Sequence, residues 1–320
     1  MSCSSPLTDR LTDMRAWTAD TIGPPVSWVH TLSDTCLASL ERLASNAGKE
    51  PWEIVDKQIY ERDLEACRGC LDPVIEDLNR GRGFALVERL PVGRCALQEV
   101  RAMYWGIGQL LGLPFEQDIN GTLLYDVRDT GRDVRAGARF SVTNAESSFH
   151  TDNSFSPKVP DFVGLLCLRT ARCGGRSQLI SAYALHDELI AHHRDILETL
   201  YQPFHFDRRG EFKEGESPTF EAPLFHWDGE ELSVRYLHYY MQVGHERAGC
   251  PLMPEQKKAL DTIESMLRCD KFRVEFSLEP GQMLFTNNHW VLHNRTAFED
   301  HADIECRRHY VRLWLSRSVS

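Results

Sequence analysis

A mixed α+β chain whose core is mainly β, closed as a sandwich or barrel, is what this sequence predicts. Three observations carry that expectation. After residue 115 the chain turns to short β-like runs separated by turn residues. Two clear helical stretches, roughly 183–200 and 254–268, interrupt these runs instead of alternating with them as a doubly wound sheet requires. No composition break or internal repeat divides the 320 residues, and 42% hydrophobic content is ample for a packed core.

Taken in order, residues 1–30 are rich in Ser, Thr and Pro and predict an irregular arm, with Trp17 and Trp28 docking parts of it on the body. Ser33 or Asp34 caps an amphipathic helix through Leu37, Leu40 and Leu43 to about Asn46, with Gly48 as its stop. Asp72 as cap and Pro73 at the first position predict a second helix ending near Gly81. Gly83 opens the strand Phe84–Glu88, and residues 96–111 have the apolar spacing of a helix closed by Gly112 and Pro114. Gly106-Ile107-Gly108 lies inside that helix, so it is no dinucleotide fingerprint. The strands expected beyond are Thr122–Val127, Phe162–Arg169, Ser177–Ser181, Leu232–Leu237, Phe272–Ser277, Gln282–Phe285 and Arg308–Leu315. The charged stretch 207–221 reads as a solvated loop or a lid. The expected division is an amino-terminal arm with helices, 1–80, packed on a β domain, 81–320, that carries an inserted region at about 183–270.

A formal net charge of −11 leaves no electrostatic footprint for nucleic acid or an anionic membrane, so neither is expected as a partner. Any anionic ligand has to be met by locally placed Arg or Lys. Residues 1–30 lack a basic-then-apolar signal pattern, and no run approaches the roughly 20 apolar residues of a membrane span. A soluble cytoplasmic protein is the expectation, and assembly into a homo-oligomer is compatible with it. Of the ten cysteines, Cys67-Arg68-Gly69-Cys70 is a lone CxxC without a second pair or a preceding thioredoxin-like strand, and it is not read as a metal or redox site. Cys36, Cys167, Cys269 and Cys306 sit among apolar or amphipathic residues and read as small core-filling thiols.

Chemistry concentrates in Ser148-Phe149-His150-Thr151-Asp152-Asn153. His150 and Asp152 predict a strand with both side chains on one face, offering a ring nitrogen and a carboxylate oxygen to one divalent ion. A third ligand is best supplied from residues 280–295, where His289 and His293 lie. Two histidines and a carboxylate on one face of an ion, with the other positions open, is the arrangement of non-haem Fe(II) oxygenases. Taken alone, His-x-Asp is a weak signal, and a surface histidine beside a capping aspartate is its more ordinary reading. In the last strand Arg308, Tyr310, Arg312 and Trp314 alternate with His309, Val311, Leu313 and Leu315, so period two puts both arginines on one face. Inward guanidiniums are costly unless an anion meets them, and the arginine fork suits a carboxylate. A solvated strand face is the alternative.

Four motifs in order are His150-Thr151-Asp152, Cys173-Gly174-Gly175-Arg176-Ser177, Pro280-Gly281 leading to Asn288 and Val291-Leu292-His293-Asn294-Arg295, and Arg308 through Arg312. Together they resemble the taurine dioxygenase (TauD/TfdA) family of Fe(II)- and 2-oxoglutarate-dependent oxygenases, over about residues 80–316. The resemblance implies a double-stranded β-helix core, a jelly roll of the clavaminate synthase-like kind, with flanking helices. It implies that His150, Asp152 and His293 bind Fe(II) as the catalytic centre, the Leu-His-Asn-Arg context favouring His293 over His289. It implies that Ser177 bonds the distal carboxylate of 2-oxoglutarate and that Arg308, fifteen residues past His293, salt-bridges it. Arg312 is then the residue that helps hold the cosubstrate or an anionic group of the substrate. The implied reaction uses O2 and 2-oxoglutarate to oxidise, and most often hydroxylate, an unactivated C–H bond, with release of succinate and CO2. A carboxylate at position 152 argues against halogenation, because related halogenases have a small residue there.

Substrate identity is weakly encoded. Family substrates often carry a carboxylate, sulfonate, phosphonate or similar anion. Glu146 stands where taurine dioxygenases place an Asn against substrate, so it would suit an amine; an amino-acid-like metabolite is one expectation and a solvent-facing Glu146 the other. Arg235, in the run Val234–Tyr240, is a second candidate substrate residue, an ordinary aromatic strand being the alternative. The first 80 residues and the grip on taurine have no recognisable counterpart, which points to another small molecule, as in a biosynthetic pathway. Competing readings are desaturation or ring formation at the same iron site, a non-catalytic metal- and ligand-binding β-barrel, and a hydrolytic zinc enzyme.

Overall fold

A computed structural model describes residues 6–47, 55, 61–132 and 140–317. The described part of the arm, residues 6–28, is largely irregular but anchored, with the Trp17 indole N–H donating to the Arg82 carbonyl at 2.7 Å. Strand β1 (Val29–Thr31) leads into helix α1 (Asp34–Ala47), where the Ser33 hydroxyl accepts from the Cys36 N–H as a helix cap does. The stop expected at Gly48 lies outside the described residues. Helix α2 (Arg68–Asn79) starts earlier than its proline suggests, and Pro73 sits inside it. The helix tolerates the missing donor because Leu71, Val74 and Leu78 bury one continuous apolar face. Cys36 is also corrected: it is no free thiol but is disulfide-bonded to Cys67, with Cα atoms 4.5 Å apart where α1 meets the turn before α2.

Strand β2 (Phe84–Glu88), helix α3 (Leu97–Leu111), strands β3 (Leu113–Phe115) and β4 (Leu124–Val127), and the eight-residue strand β5 (Phe162–Arg169) follow. The short strand β6 (Cys173–Gly174) precedes β7 (Ser177–Ser181). The helix expected over 183–200 is two, α4 (Ala182–His192) and α5 (Arg194–Leu200), broken where His193 leaves helical geometry. Two hairpins come next, β8 (Pro203–Asp207) with β9 (Thr219–Pro223) and β10 (Phe225–Trp227) with β11 (Leu232–Val234). The charged stretch is thus the loop of the first hairpin. Helix α6 (His238–Ala248) replaces the aromatic strand alternative for its residues. Helix α7 (Pro254–Leu267) and strands β12 (Val274–Phe276), β13 (Met283–Asn287), β14 (Val291–Arg295), β15 (Phe298–Glu299) and β16 (His309–Ser316) complete the chain.

The larger sheet runs β1-β2-β13-β5-β16-β3, with β4 also on β16, and a smaller one runs β12-β7-β14. Apart from the parallel β1–β2 pair, the ladders of both sheets are antiparallel. One face of the large sheet packs on α1–α3 through Val311, Leu313, Leu315, Leu166 and Phe285. Gly108 of α3 permits that approach, since a Cβ there would lie 2.1 Å from the Leu313 side chain. The other face turns toward the small sheet. Val163, Leu165, Leu284 and Thr286 from one side and Leu179 from the other line a cavity between the two sheets. This is the expected mixed fold with a double-stranded β-helix core. Among the described residues no helix is long and apolar enough to cross a membrane.

Candidate active site

His150 and Asp152 do not lie on one regular strand. His150 makes a single antiparallel bridge with His293 of β14, each backbone N–H donating to the other's carbonyl at 3.0 Å. The chain then turns, with Ser148 and Asn153 on either side at φ near +60°. What aims Asp152 is a side-chain clamp: its N–H donates to the Asn288 Oδ1 at 2.8 Å, and the Asn288 amide donates to the Asp152 carbonyl at 2.9 Å. Thr151 is fixed the same way, its N–H donating to the Tyr236 carbonyl and its hydroxyl accepting the Tyr236 N–H. Backbone pairing therefore sets the two histidines side by side, and an amide swings the carboxylate beneath them.

The result is a cluster of one donor atom each from His150, Asp152 and His293, all within 4.8 Å of one another. An Asp152 oxygen lies 3.6 Å from the His150 Nε2 and 4.0 Å from the His293 Nε2. The His150 Nδ1 faces the Ser148 carbonyl at 2.9 Å, which suits donation from that nitrogen and leaves Nε2 as the ligand atom. Burial alone would raise the Asp152 carboxyl, but the Arg312 guanidinium and the two imidazoles hold it well below the usual carboxylate range. Burial, with His150 alongside, pushes His293 down to about 3, so it stays neutral and able to ligate. Two imidazole nitrogens and a carboxylate are the donor set Fe(II) takes in its facial triad.

Asp152 is held from the far side too. Trp314 of β16 donates its indole N–H to one carboxylate oxygen at 2.7 Å, and the Arg312 Nη1 reaches the other at 3.2 Å. Gln117 fixes Arg312, accepting from its Nε at 2.8 Å. Arg308 behaves differently. It is only 4% exposed, it stacks 3.8 Å over the Tyr310 ring, and its Nε and Nη1 have no hydrogen-bond partner among the described residues. Burial accordingly lowers its pKa. Space for it comes from the glycine pair: Gly174 and Gly175 both have positive φ, and a Cβ on Gly175 would stand 3.2 Å from the Arg308 Nε. Beyond that turn Ser177 lines the same cavity as Arg308, Arg312 and the His-Asp-His cluster.

Other candidates fall elsewhere. Glu146 is exposed and accepts from the Asn294 amide at 2.9 Å; Asn294 lines the cavity and Glu146 stands behind it. Arg235 is not among the residues lining the cavity. Its guanidinium donates to the carbonyls of Ser154, Ser156 and Pro157, so it braces the turn after Asp152 from outside the cavity. His289 pairs with Asp161 at 2.7 Å instead of joining the cluster. Sequence reasoning missed Gln117, Arg209 and Arg295 as cavity residues. Arg295 donates to the Thr143 and Ala145 carbonyls, and burial beside Arg308 pulls it down to about 9. Its place two residues after His293 on one strand was the available signal, because β alternation keeps both on one face.

Comparisons with known proteins agree with this geometry. The profile of the family described as taurine catabolism dioxygenase TauD, TfdA family matches residues 57–314. FR-33289 synthase of Streptomyces rubellomurinus (strain ATCC 31215) is 27% identical over 311 residues, covering 96% of this chain and 90% of that protein. Uridine-5'-phosphate dioxygenase of Amycolatopsis sp is 31% identical over 194 residues, 58% of this chain and 66% of that one. Among solved structures, asparagine oxygenase in complex with Fe(II), 2S,3S-3-hydroxyasparagine and succinate superposes with a TM-score of 0.68 at 20% identity, covering 90% and 93% of the two chains. The non-heme iron oxygenase OrfP in complex with Fe and alpha-ketoglutaric acid gives 0.67 at 16% identity, covering 91% and 94%.

Proposed function

We propose, from the premise that this chain belongs to the TauD, TfdA dioxygenase family, a division of labour among its residues for hydroxylating a small charged metabolite. The chain is an Fe(II)- and 2-oxoglutarate-dependent dioxygenase. His150, Asp152 and His293 hold the iron, which when bound supplies oxidising power from O2 and 2-oxoglutarate. Arg308 and Ser177 grip the distal carboxylate of the cosubstrate. Arg312 keeps Asp152 ionised and presents its remaining N–H groups to the cavity. Residues 81–320 form the catalytic unit, and the amino-terminal part joins it through β1, which pairs with β2.

The observation that carries this reading is Arg308. A buried cation with two unpartnered N–H groups costs several kcal/mol unless an anion reaches it, and Asp152 is already engaged by Arg312 and Trp314. A diacid chelating the ion at one end would satisfy that cation at the other. The apolar wall of Val163, Leu165, Leu179 and Leu284 excludes water from the space between, which protects a reactive centre. The test is coupled succinate release with purified protein, Fe(II), ascorbate, 2-oxoglutarate and a panel of small metabolites, with mass spectrometry of the products. A product 16 mass units heavier, formed with succinate, supports hydroxylation. Succinate-free binding across the panel would favour a non-catalytic binder.

A further inference from the structure

We propose a second ligand site: the cleft behind the turn that carries Asp152 takes a compact apolar monocarboxylate, Arg235 pairs with its charge, and occupancy weakens metal binding. The inference goes beyond the oxygenase reading and shares with it only the role of Asp152 as a metal ligand. The cleft has a volume of about 320 Å³, and among the described residues Thr151 alone lines both it and the cavity of the His-Asp-His cluster. Val159, Phe220, Ala222, Leu224 and Val234 give it apolar walls, and Arg235, Asn288 and His289 line it as well.

Charge decides what the cleft can hold. The chain carries a net charge of −11, yet among the described residues no Asp or Glu lines this cleft. The Arg235 guanidinium donates to the carbonyls of Ser154, Ser156 and Pro157 at 2.5 to 3.4 Å and lies 5.3 Å over the Phe220 ring. Those carbonyls satisfy N–H groups but leave the positive charge uncompensated, and among the described residues no carboxylate pairs with it; burial pulls it down to about 10. His289, by contrast, has its acid: one Asp161 oxygen lies 2.7 Å from it, and the other accepts the Arg317 N–H at 2.8 Å. One cation without an acid, set among apolar walls, is the complement of a carboxylate on an apolar body. The small volume suits a molecule of about ten non-hydrogen atoms.

The same guanidinium supports the metal cluster. The carbonyls it bonds belong to the turn directly after Asp152, where Asn153 has φ +58° and its carbonyl accepts the Ser156 N–H at 3.0 Å. Asn288, on the cleft wall, is the amide that clamps the Asp152 backbone. A carboxylate in the cleft competes with the turn's carbonyls for the guanidinium N–H groups, and a charged acceptor is the stronger one. Drawing Arg235 toward it slackens the turn that aims the Asp152 carboxylate. By linkage, bound Fe(II) weakens the binding of the carboxylate by the same factor.

The test uses the full chain, anaerobic, with Fe(II) and 2-oxoglutarate. The probe is 4-fluorobenzoate, with 4-fluorobenzamide as its neutral counterpart, and binding is read by fluorine NMR. The expected result is saturable binding of the acid, with the amide weaker by about tenfold or more, as loss of a charged hydrogen bond predicts. Arg235→Gln should weaken the acid by a like factor, and so should Ala222→Leu, which fills the cleft and keeps the guanidinium. Arg209→Gln and Arg308→Ala, in the other cavity, should leave acid binding unchanged. A titration of Fe(II), followed through the visible band it gives with 2-oxoglutarate, should need several-fold more metal when 4-fluorobenzoate is present, and no more in Arg235→Gln. No saturable binding, acid and amide binding alike, or binding lost in Arg209→Gln or Arg308→Ala but kept in Arg235→Gln would overturn the site. An Fe(II) titration unmoved by the bound acid would overturn the coupling. Failure of the band to form without any probe would instead count against the oxygenase reading, and the fluorine measurement would still decide the site.

Discussion

The two ends of the cavity solve opposite problems. At the metal end, Asp152 is a buried carboxylate whose oxygens are met by an arginine and an indole before any ion arrives. At the cosubstrate end, Arg308 is a buried cation left with two unmet donors. A prepaired carboxylate keeps its shape and charge when the site is empty, so the ion finds ligands already ionised. An unpaired guanidinium destabilises the empty state and favours whatever anion fills it, which converts folding strain into selectivity for a diacid. One end is preorganised and the other is demanding.

The largest effect expected from breaking that contrast is at Asp152. Asp152→Ala removes the anionic ligand and leaves Arg312 and the two imidazoles facing each other, so coupled succinate formation should fall below detection; turnover at the wild-type rate would refute the assignment. Next comes Arg308→Ala, which should raise the apparent 2-oxoglutarate requirement about 10- to 150-fold, the equivalent of roughly 1.5–3 kcal/mol for a charged hydrogen bond. Iron affinity should change far less, and equal damage to both would count against the role given to Arg308. The contrast sharpens with Arg308→Met. Replacing an unpaired buried cation by an apolar chain should raise the unfolding midpoint of the ligand-free protein, whereas Trp314→Phe should lower it by the equivalent of about 1.5 kcal/mol. Midpoints moving the other way would erase the distinction between the two ends.

A further effect is a pH dependence away from both. His186, in the core beside Tyr201, is pushed down to about 4 by burial, while the unfolded chain takes up that proton near the ordinary value of 6.5. Between those values the unfolded state holds more protons, so stability falls on acidification from about pH 6.5 to 4, by at most about 1.4 kcal/mol per unit for this group. Denaturant midpoints of wild type and His186→Phe across that range should converge as pH falls. Parallel curves would show that His186 is not the group responsible.

Much of this was legible because period and residue type agree. Strands Phe162–Arg169 and Ser177–Ser181 come out where short β-like runs between turn residues place them. Arg308 and Arg312 share a face although a bulge falls between His309 and Tyr310. The convergence of His150 with His293 was visible only through motif order, since 143 residues separate them. Its cause was not legible: the Asn288 clamp on Asp152 is a tertiary hydrogen bond that local pattern cannot announce. Pro73 misled because apolar packing of α2 outweighs one missing donor. Cys36 misled because a buried thiol and a buried half-disulfide have the same sequence surroundings. Arg209 was hidden in a charged loop, where solvation is the ordinary expectation.

The measurement closest to the central claim is an anaerobic titration of the Fe(II)-loaded protein with 2-oxoglutarate, followed in the visible. One ion held by His150, Asp152 and His293, with Arg308 across from it, predicts a saturable charge-transfer band that is absent in Asp152→Ala and shifted to much higher 2-oxoglutarate in Arg308→Ala. A wild-type protein that gives no band, or an Arg308→Ala variant that saturates at the wild-type concentration, would contradict it.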